Sequence, residues 1–180
     1  MKALIFDLDQ TLVDSRHIEH LRRLRQWSIV YQKIPTISAY DGINEILSFT
    51  KDRGIKLAIV SSAPSSYVRR VVWHFGWSFD TMVCYHDTAQ HKPHPAPFIE
   101  AANRLRITAK DCWAVGDEPK DIIAAKKADM YTVAALWGSL DKESLKRTRP
   151  DAIFEAVTSF YEAICIGVRI RDCDSNYWTF

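Results

Sequence analysis

The sequence predicts an α/β protein with a doubly wound, Rossmann-like parallel sheet, helices on both faces and a minimal helical cap insert. Three observations support this fold class. Short apolar runs of strand length alternate with segments whose apolar residues recur every three or four positions, as in amphipathic helices. Several of the apolar runs lack polar alternation, as expected for strands buried on both faces. Several also end on polar or acidic residues, at the edge where such sheets bind ligands.

Strands and helices alternate from residue 3 to about residue 164. The predicted strands are residues 3–6, 56–60, 81–85, 112–115, 131–136 and 152–154. The predicted helices are residues 16–33, 43 to just before Gly54, 64–75, 98–105, the stretch ending at Ala128, and 155–164. Pro35 ends the first helix because proline disfavours helical geometry in the preceding residue. Gly54 lies where a left-handed residue commonly ends a helix. The alternation requires right-handed crossovers and therefore a parallel sheet.

Length and composition exclude several classes of protein. A chain of 180 residues is one domain, or one domain with a small insert, and can bury a sizeable core. The formal net charge of +2 does not indicate nucleic acid or a membrane surface as a partner. No apolar run has membrane-spanning length, and no signal peptide is recognisable. The four cysteines lack metal-type spacing, which favours a cytoplasmic location.

The first predicted strand ends on two acids, Asp7 and Asp9, with Thr11 close behind. A parallel strand delivers both carboxylates to the carboxyl edge of the sheet. Two carboxylates so close together repel each other, and the arrangement persists where a cation, a shared proton or a reaction uses it. A solvated turn is the alternative explanation for an isolated Asp-x-Asp-x-Thr segment. Later segments of the chain favour a site.

Three further groups follow predicted strands and would converge on the same edge of the sheet. They are Ser61 and Ser62 after the second strand, Lys92 after the third, and Asp117 and Asp121 after the fourth. Carboxylate oxygens bind hard cations, and Mg²⁺ combines a few of them with waters and a phosphate oxygen. Lys92 and Ser61 would hold the remaining charge of that phosphate.

Each of these residues also has a simpler explanation. Serines after a strand often cap the next helix, which we favour for Ser62 while we favour phosphate contact for Ser61. Thr11, Ser61, Ser62 and Lys92 together form the candidate substrate-binding set. A lone lysine is commonly solvated, although Lys92 precedes a proline and a predicted helix. The arginines of the first predicted helix could contact an anionic substrate, but a solvated face is the usual explanation for such a run and is the one that we expect.

In this order, the four segments resemble the motifs of the haloacid dehalogenase-like hydrolase superfamily. The first motif is similar to Asp7-Leu8-Asp9-Gln10-Thr11, the second to Ser61, the third to Lys92-Pro93, and the fourth to Gly116-Asp117-Glu118-Pro119-Lys120-Asp121. The resemblance runs from Lys2 to about Ile164. The spacing and the Leu136-Trp137-Gly138 stretch most resemble the phosphoglycolate phosphatase-like branch.

The resemblance implies a role for each acid. Asp7 would be the nucleophile that attacks phosphorus and becomes an aspartyl-phosphate. Asp9 would protonate the leaving oxygen and then activate water. The family binds Mg²⁺ through the equivalents of the Asp7 side chain, the Asp9 backbone carbonyl and the Asp117 side chain, with Asp121 as an outer or water-mediated partner. Lys92 would complete the catalytic set by neutralising charge.

Together these features predict a Mg²⁺-dependent phosphatase acting on a phosphorylated substrate. Dehalogenases of the superfamily need no acid for a halide, whereas an alkoxide leaving group needs a proton, so Asp9 favours phosphoryl chemistry. A phosphotransferase or mutase with the same nucleophile is one alternative, which the short insert disfavours. A non-enzymatic receiver-like phosphoacceptor module is another. Its phosphorylated aspartate would end a middle strand, where this chain has Ser61.

The chain departs from the family in two places. Relatives carry a helical cap domain where this chain has only residues 16–40, within a core of residues 1–164. Such an insert implies an open site for a large substrate, a lid from the second subunit of a homodimer, or weak selectivity among small phosphoesters. The second departure is the tail, residues 165–180, where the alternation of Ile166, Val168 and Ile170 with other residues predicts an edge strand. The simpler explanation for this tail is an edge strand with side chains docked on the domain, and the more specific hypothesis is a dimer interface or a roof over the open site.

Overall fold

The computed structural model of the chain describes the backbone of residues 1–173 and the side chains of residues 1–167. The strands of this part are β1 (Ala3–Phe6), β2 (Val13–Asp14), β3 (Ser38–Ala39), β4 (Lys56–Val60), β5 (Thr81–Val83), β6 (Cys112–Gly116), β7 (Tyr131–Ala135) and β8 (Ala152–Phe154). Its α-helices are α1 (Glu19–Arg23), α2 (Trp27–Lys33), α3 (Ile43–Asp52), α4 (Ser65–His74), α5 (Ala96–Leu105), α6 (Pro119–Lys127), α7 (Lys142–Arg147) and α8 (Val157–Cys173).

Six strands form one parallel sheet in the order β5–β4–β1–β6–β7–β8. The central strand β1 pairs with β4 on one side and with β6 on the other. All four residues of β1 are buried, as the uninterrupted apolar run predicted. The predicted doubly wound parallel sheet is therefore confirmed. Because β4, β1 and β6 are neighbours, their carboxyl ends lie side by side.

Helices cover both faces of the sheet and bury its apolar side chains. One face packs around Phe6, Tyr67 and Phe160, with ring centroids of Phe6 and Phe160 6.5 Å apart. The other face packs around Ile5 and Phe98, together with alanines of α5 and α6. No helix within residues 1–173 combines the length and the apolar character that crossing a membrane requires.

The insert between β1 and α3 leaves the core through a two-stranded antiparallel stem. In this stem, Val13 of β2 lies opposite Ala39 of β3, and Asp14 lies opposite Ser38. In the sequence, helices α1 and α2 follow β2 and precede β3. The insert therefore emerges within a few residues of Asp9 and returns beside its own starting point.

Two local predictions are wrong, and one helix was not predicted. Residues 16–33 form a short 3-10 turn and two helices rather than one helix, because the chain reverses at Arg25 and packs Trp27 on Tyr67 with ring centroids 5.9 Å apart. Helix α7 was not predicted, since it buries only Leu145 and has no apolar stripe. Residues 165–173 continue α8, so the predicted edge strand is not formed there. Residues 174–180 lie outside the described part of the chain.

Candidate active site

The turn after β1 carries Asp7 and Asp9 over the carboxyl edge of the sheet. The Asp7 amide still donates to the Val115 carbonyl of β6 at 2.9 Å, which fixes Asp7 to the sheet. The chain then reverses, and the Leu12 amide donates to the Leu8 carbonyl at 2.9 Å. The sheet therefore sets the position of Asp7, whereas the turn sets that of Asp9.

Lys92 lies among buried carboxylates that come from opposite halves of the chain. Its Nζ donates to Asp7 Oδ1 at 2.6 Å, lies 2.6 Å from Asp121 Oδ1, and donates to the Val60 carbonyl at 3.0 Å. The side chains of Lys92 and Asp121 are each only 2% exposed. Carboxylate oxygens of Asp7, Asp117 and Asp121 lie within 4.8 Å of one another. The structure thus brings together the acids and the lysine that the sequence placed on one edge.

Burial and mutual repulsion perturb the pKa values of this group. At Asp7, burial and the Asp121 charge outweigh the opposing effect of Lys92 and raise the pKa to about 7. Burial, followed by the charges of Asp7 and Asp121, raises the pKa of Asp117 well above its ordinary value. Burial opposes the charge on Lys92, but the Asp121 and Asp7 carboxylates outweigh it and raise the Lys92 pKa.

The residues present fit a divalent cation. Three buried carboxylates lie together within the described residues and the Lys92 ammonium contacts only two of them, Asp7 and Asp121, which leaves excess negative charge where burial makes it costly. A hard cation would remove that excess, and clustered carboxylate oxygens are suitable ligands for Mg²⁺. Gly116 allows the acids to approach, because a β-carbon there would overlap the Asp121 side chain.

Asp9 is held by three donors from outside β1. The Ser15 and Tyr67 hydroxyls donate to Asp9 Oδ1 at 2.6 and 2.8 Å. Arg22 Nη1 lies 2.6 Å from Asp9 Oδ2. Burial, followed by the negative charge of Asp9, raises the pKa of Tyr67, which keeps its hydroxyl a donor. Side chains of the insert and of α4 therefore fix the orientation of this carboxylate.

The loop after β7 fixes the backbone of the turn at Gln10 and Thr11. Trp137 Nε1 donates to the Thr11 carbonyl at 3.0 Å. A β-carbon at Gly138 would overlap the Gln10 carbonyl oxygen, so a glycine is needed there. Gln10 itself has a φ of +66°, and its side chain accepts from the Tyr40 hydroxyl at 3.2 Å. The tryptophan–glycine pair thus holds the turn that carries Asp9.

The hydroxyl residues of the candidate set occupy different positions. Ser61 is buried beside the acids, and its Oγ accepts from the Ala63 amide at 3.1 Å. Ser62 is exposed at the same edge and does not cap α4, whose N-cap residue is Pro64. Thr11 is fully buried and donates to Asp117 Oδ1 at 2.8 Å. Thr11 is therefore placed to hold the Asp117 carboxylate rather than to contact a substrate directly.

A cavity of about 610 Å³ opens above this group. Asp7, Asp9 and Asp117 contribute to its lining on the core side, and the insert contributes basic residues and Trp27. A cavity of this size accommodates a small phosphorylated molecule.

Sequence reasoning missed the residues that support Asp9. Tyr67 was expected only as an inward-facing residue, and although it is buried, its hydroxyl reaches the site. Arg22 was expected on a solvated face, but its side chain is only 15% exposed against Asp9. Ser15 gave a weak signal by following the Asp-x-Asp turn directly. In a run of four arginines, no local pattern distinguishes Arg22 from its neighbours.

Buried acids, a lysine and hydroxyls at one edge of a doubly wound sheet form a set of groups suited to a divalent cation. The family model described as haloacid dehalogenase-like hydrolase matches residues 17–135, more than half of the chain. The chain belongs to this family. The matched range begins after Asp7 and Asp9, so the roles of these two residues rest on their geometry.

Curated relatives agree with this membership. The chain is 38% identical over 101 residues to a phosphoglycolate phosphatase of Xanthomonas campestris pv. campestris, covering 55% of this chain and 46% of that protein. It is 31% identical over 123 residues to the pyrophosphatase PpaX of Oceanobacillus iheyensis, covering 67% and 58%. The chain thus spans about half the length of these curated relatives.

Two solved structures share the fold. A hydrolase from Pseudomonas syringae superposes with a TM-score of 0.78 at 20% identity, covering 91% of this chain and 97% of that one. CbbY from Rhodobacter sphaeroides, solved in complex with phosphate, gives a TM-score of 0.73 at 16% identity, covering 87% and 95%. At these identities the likeness concerns the fold alone.

Proposed function

We propose that the chain is a Mg²⁺-dependent phosphatase that hydrolyses a phosphate monoester through an aspartyl-phosphate on Asp7. The main support is the position of Asp7, which is bound to Lys92 at the end of β1 and lies within reach of Asp117 and Asp121. Relatives named as phosphoglycolate phosphatase and pyrophosphatase support a phosphorylated substrate.

Each residue of the site has a role in this proposal. The side chains of Asp7, Asp117 and Asp121 and the backbone carbonyl of Asp9 would hold Mg²⁺. When bound, the ion supplies positive charge that stabilises the phosphoryl oxygens. Lys92 holds an Asp7 oxygen in place and neutralises charge beside it. Ser61 and Ser62 would donate to the phosphate.

Hydrolysis takes place in two steps on this constellation. An Asp7 carboxylate oxygen attacks phosphorus and forms a new P–O bond, while the bond to the ester oxygen breaks. The leaving oxygen takes a proton from Asp9. Water then attacks the phosphorus of the aspartyl-phosphate and gives a proton to Asp9. The Asp7–phosphorus bond breaks, and inorganic phosphate is released with both side chains restored.

Two alternatives would use the same acids. A phosphotransferase or mutase must exclude water, and the small insert gives little cover for that purpose. A receiver-like phosphoacceptor would need an aspartate at the end of a middle strand, and the strand beside β1 is followed by Ser61. Neither alternative is favoured by a specific observation.

The proposal is tested by assaying phosphate esters with Mg²⁺ and with a chelator, alongside Asp7→Asn and Asp9→Asn. We expect activity only with the metal, and a loss of roughly 10⁴-fold or more in Asp7→Asn. Asp9→Asn should lose activity on alkyl phosphates, and with an aryl phosphate, whose leaving group needs no proton, it should accumulate a phosphoryl adduct detectable by intact mass. Asp129→Asn, a change at a solvent-exposed ion pair with Lys110, is the matched control and should retain full activity. Hydrolysis that persists in Asp7→Asn would overturn the covalent mechanism.

The oligomeric state and the cytoplasmic location stay predictions. Mass in solution, measured by light scattering, tests whether a homodimer supplies a lid to the open site. Removal of the tail from residue 165 would show whether that segment contributes to such an assembly.

A further inference from the structure

The wall of the cavity next to Asp9 is basic, and the insert supplies it. Arg22, Arg23 and Arg25 all line the cavity. Arg22 contacts Asp9 through Nη1 at 2.6 Å and keeps 15% of its side chain exposed. Its Nε is buried and has no hydrogen-bond partner within the described residues. The guanidinium group is thus buried next to Asp9 with part of its bonding capacity unused.

Arg23 and Arg25 extend this wall with charge that the protein hardly neutralises. Arg23 makes only a loose, exposed contact with Glu19 at 3.9 Å, which contributes little. No carboxylate in the described part of the chain pairs with Arg25. The reversal between α1 and α2 occurs at Arg25, where φ is +55°, and this residue lines the cavity. The wall therefore holds cationic groups available to a ligand.

The position of this wall relative to the reacting atoms determines which part of a substrate it meets. In the proposed function, Asp7 attacks phosphorus and the leaving group departs on the opposite side. Asp9 protonates the leaving oxygen, so Asp9 marks the leaving-group side of the site. Arg22 lies directly against Asp9, and Arg23 and Arg25 adjoin it in the chain. The leaving group, rather than the transferred phosphoryl group, therefore faces the arginines.

We propose that these arginines select substrates whose leaving group itself carries an anion, a carboxylate or a phosphate, close to the ester or anhydride oxygen. Guanidinium groups form paired, charge-assisted hydrogen bonds with both of these anions. The inference rests on the proposed function and adds the chemical class of the substrate. Arg25 is the anchor for the anion, and Arg22 joins it while orienting Asp9.

The test compares two esters that differ in a single charge. Phosphoglycolate has a leaving group with a carboxylate, and 2-hydroxyethyl phosphate replaces that carboxylate by a neutral hydroxymethyl group. Pyrophosphate tests the other anion, because its leaving group is a phosphate. We expect the wild-type protein with Mg²⁺ to favour at least one anionic substrate over 2-hydroxyethyl phosphate by about tenfold or more in kcat/KM. Whichever of phosphoglycolate and pyrophosphate is preferred shows whether the arginines bind a carboxylate or a phosphate.

Variants connect this preference to the insert. Arg25→Ala, and Arg23→Ala combined with Arg25→Ala, should reduce the preference by about tenfold, chiefly through KM. Arg106→Ala is the matched control, since Arg106 has the same left-handed backbone with φ of +56° at the end of α5. It should leave the preference unchanged.

The outcomes separate the two proposals. Hydrolysis of all three substrates without preference, or a preference that survives the double variant, would overturn the inference while the phosphatase assignment stands. A lack of hydrolysis on every ester tested would overturn the proposed function and the inference with it.

Discussion

Gly138 lies against the carbonyl oxygen of Gln10 so closely that the position has no room for a β-carbon. Gln10 lies between Asp9 and Thr11 in the sequence, and its backbone is in the left-handed region with a φ of +66°. The loop after β7 therefore acts on the geometry of Asp9 through the backbone of the turn.

Gly138→Ala should displace this turn and impair catalysis more than stability. We expect kcat to fall by about 100-fold, since small displacements of reacting groups have effects of this size. The free energy of unfolding should fall by about 1–3 kcal/mol. Steady-state kinetics and chemical denaturation measure the two quantities. Gly54→Ala is the control, because φ is +66° there and no atom lies within 4 Å of the added carbon. If both variants lose activity in proportion to stability, Gly138 has no special role.

Tyr67→Phe removes one donor from Asp9 and leaves the ring in place. Ser15 and Arg22 still hold the carboxylate, so we expect kcat to fall by about tenfold with little change in KM. The stability loss should be about 1 kcal/mol. Tyr31→Phe is the matched control, since its hydroxyl bonds Ser66 at 2.7 Å at an exposed position. An unchanged kcat in Tyr67→Phe would show that the hydroxyl does not position Asp9.

Lys92→Met leaves the buried carboxylates of Asp7 and Asp121 without the ammonium group that contacts both of them. Removing one partner of a buried ion pair costs about 3–5 kcal/mol, and we expect metal-free protein to lose stability on this scale. Mg²⁺ should recover part of the loss by supplying positive charge to the same carboxylates. Denaturation with and without the metal measures both effects. Lys56→Met breaks the exposed pair with Asp80 and should cost less than about 1 kcal/mol, independently of Mg²⁺.

The stability of the metal-free protein should fall as pH rises. The pKa of Asp7 rises from 3.8 in the unfolded chain to about 7 in the folded one, so folding disfavours the ionised form. Its contribution is fully present below about pH 4 and is lost as the pH approaches about 7. The same sign holds for Asp117, whose pKa is also raised.

Thermal unfolding between pH 5 and pH 8, with Mg²⁺ and with a chelator, measures this dependence. Mg²⁺ should raise the melting temperature most at the higher pH, where the carboxylates are free to bind it. Asp7→Asn should reduce the pH slope of the metal-free protein. A Mg²⁺ effect that is equal at all pH values would contradict the coupling.

The sheet and the acids were predictable from sequence because each depends on short segments. An uninterrupted apolar run such as residues 3–6 defines a buried strand, and parallel strands have to share an edge, so Asp7, Lys92 and Asp117 converge from distant segments. At the tail, the alternation of apolar residues wrongly predicted a strand. Ile166 and Ile170 are also about one helical turn apart, and α8 continues through both positions.

The support of Asp9 was not predictable because it depends on how the insert folds back. A helix continued over residues 16–33 would have carried Arg22 and Trp27 along one axis, whereas with the turn at Arg25 both side chains contact the ring of Tyr67. Only the resulting tertiary contacts place a guanidinium group on Asp9. The role of Gly138 was hidden for the same reason, since it depends on a backbone approach between distant loops.

The antiparallel stem places Asp14 and Ser38 opposite each other, so the segment between them starts and finishes at neighbouring points. Such a segment can be exchanged for one of different length while the two ends that join it to the core stay fixed in space. Grafting a larger module at this pair would change which molecules gain entry, and a module that keeps Ser15 and a guanidinium group in the place of Arg22 would also keep the support of Asp9.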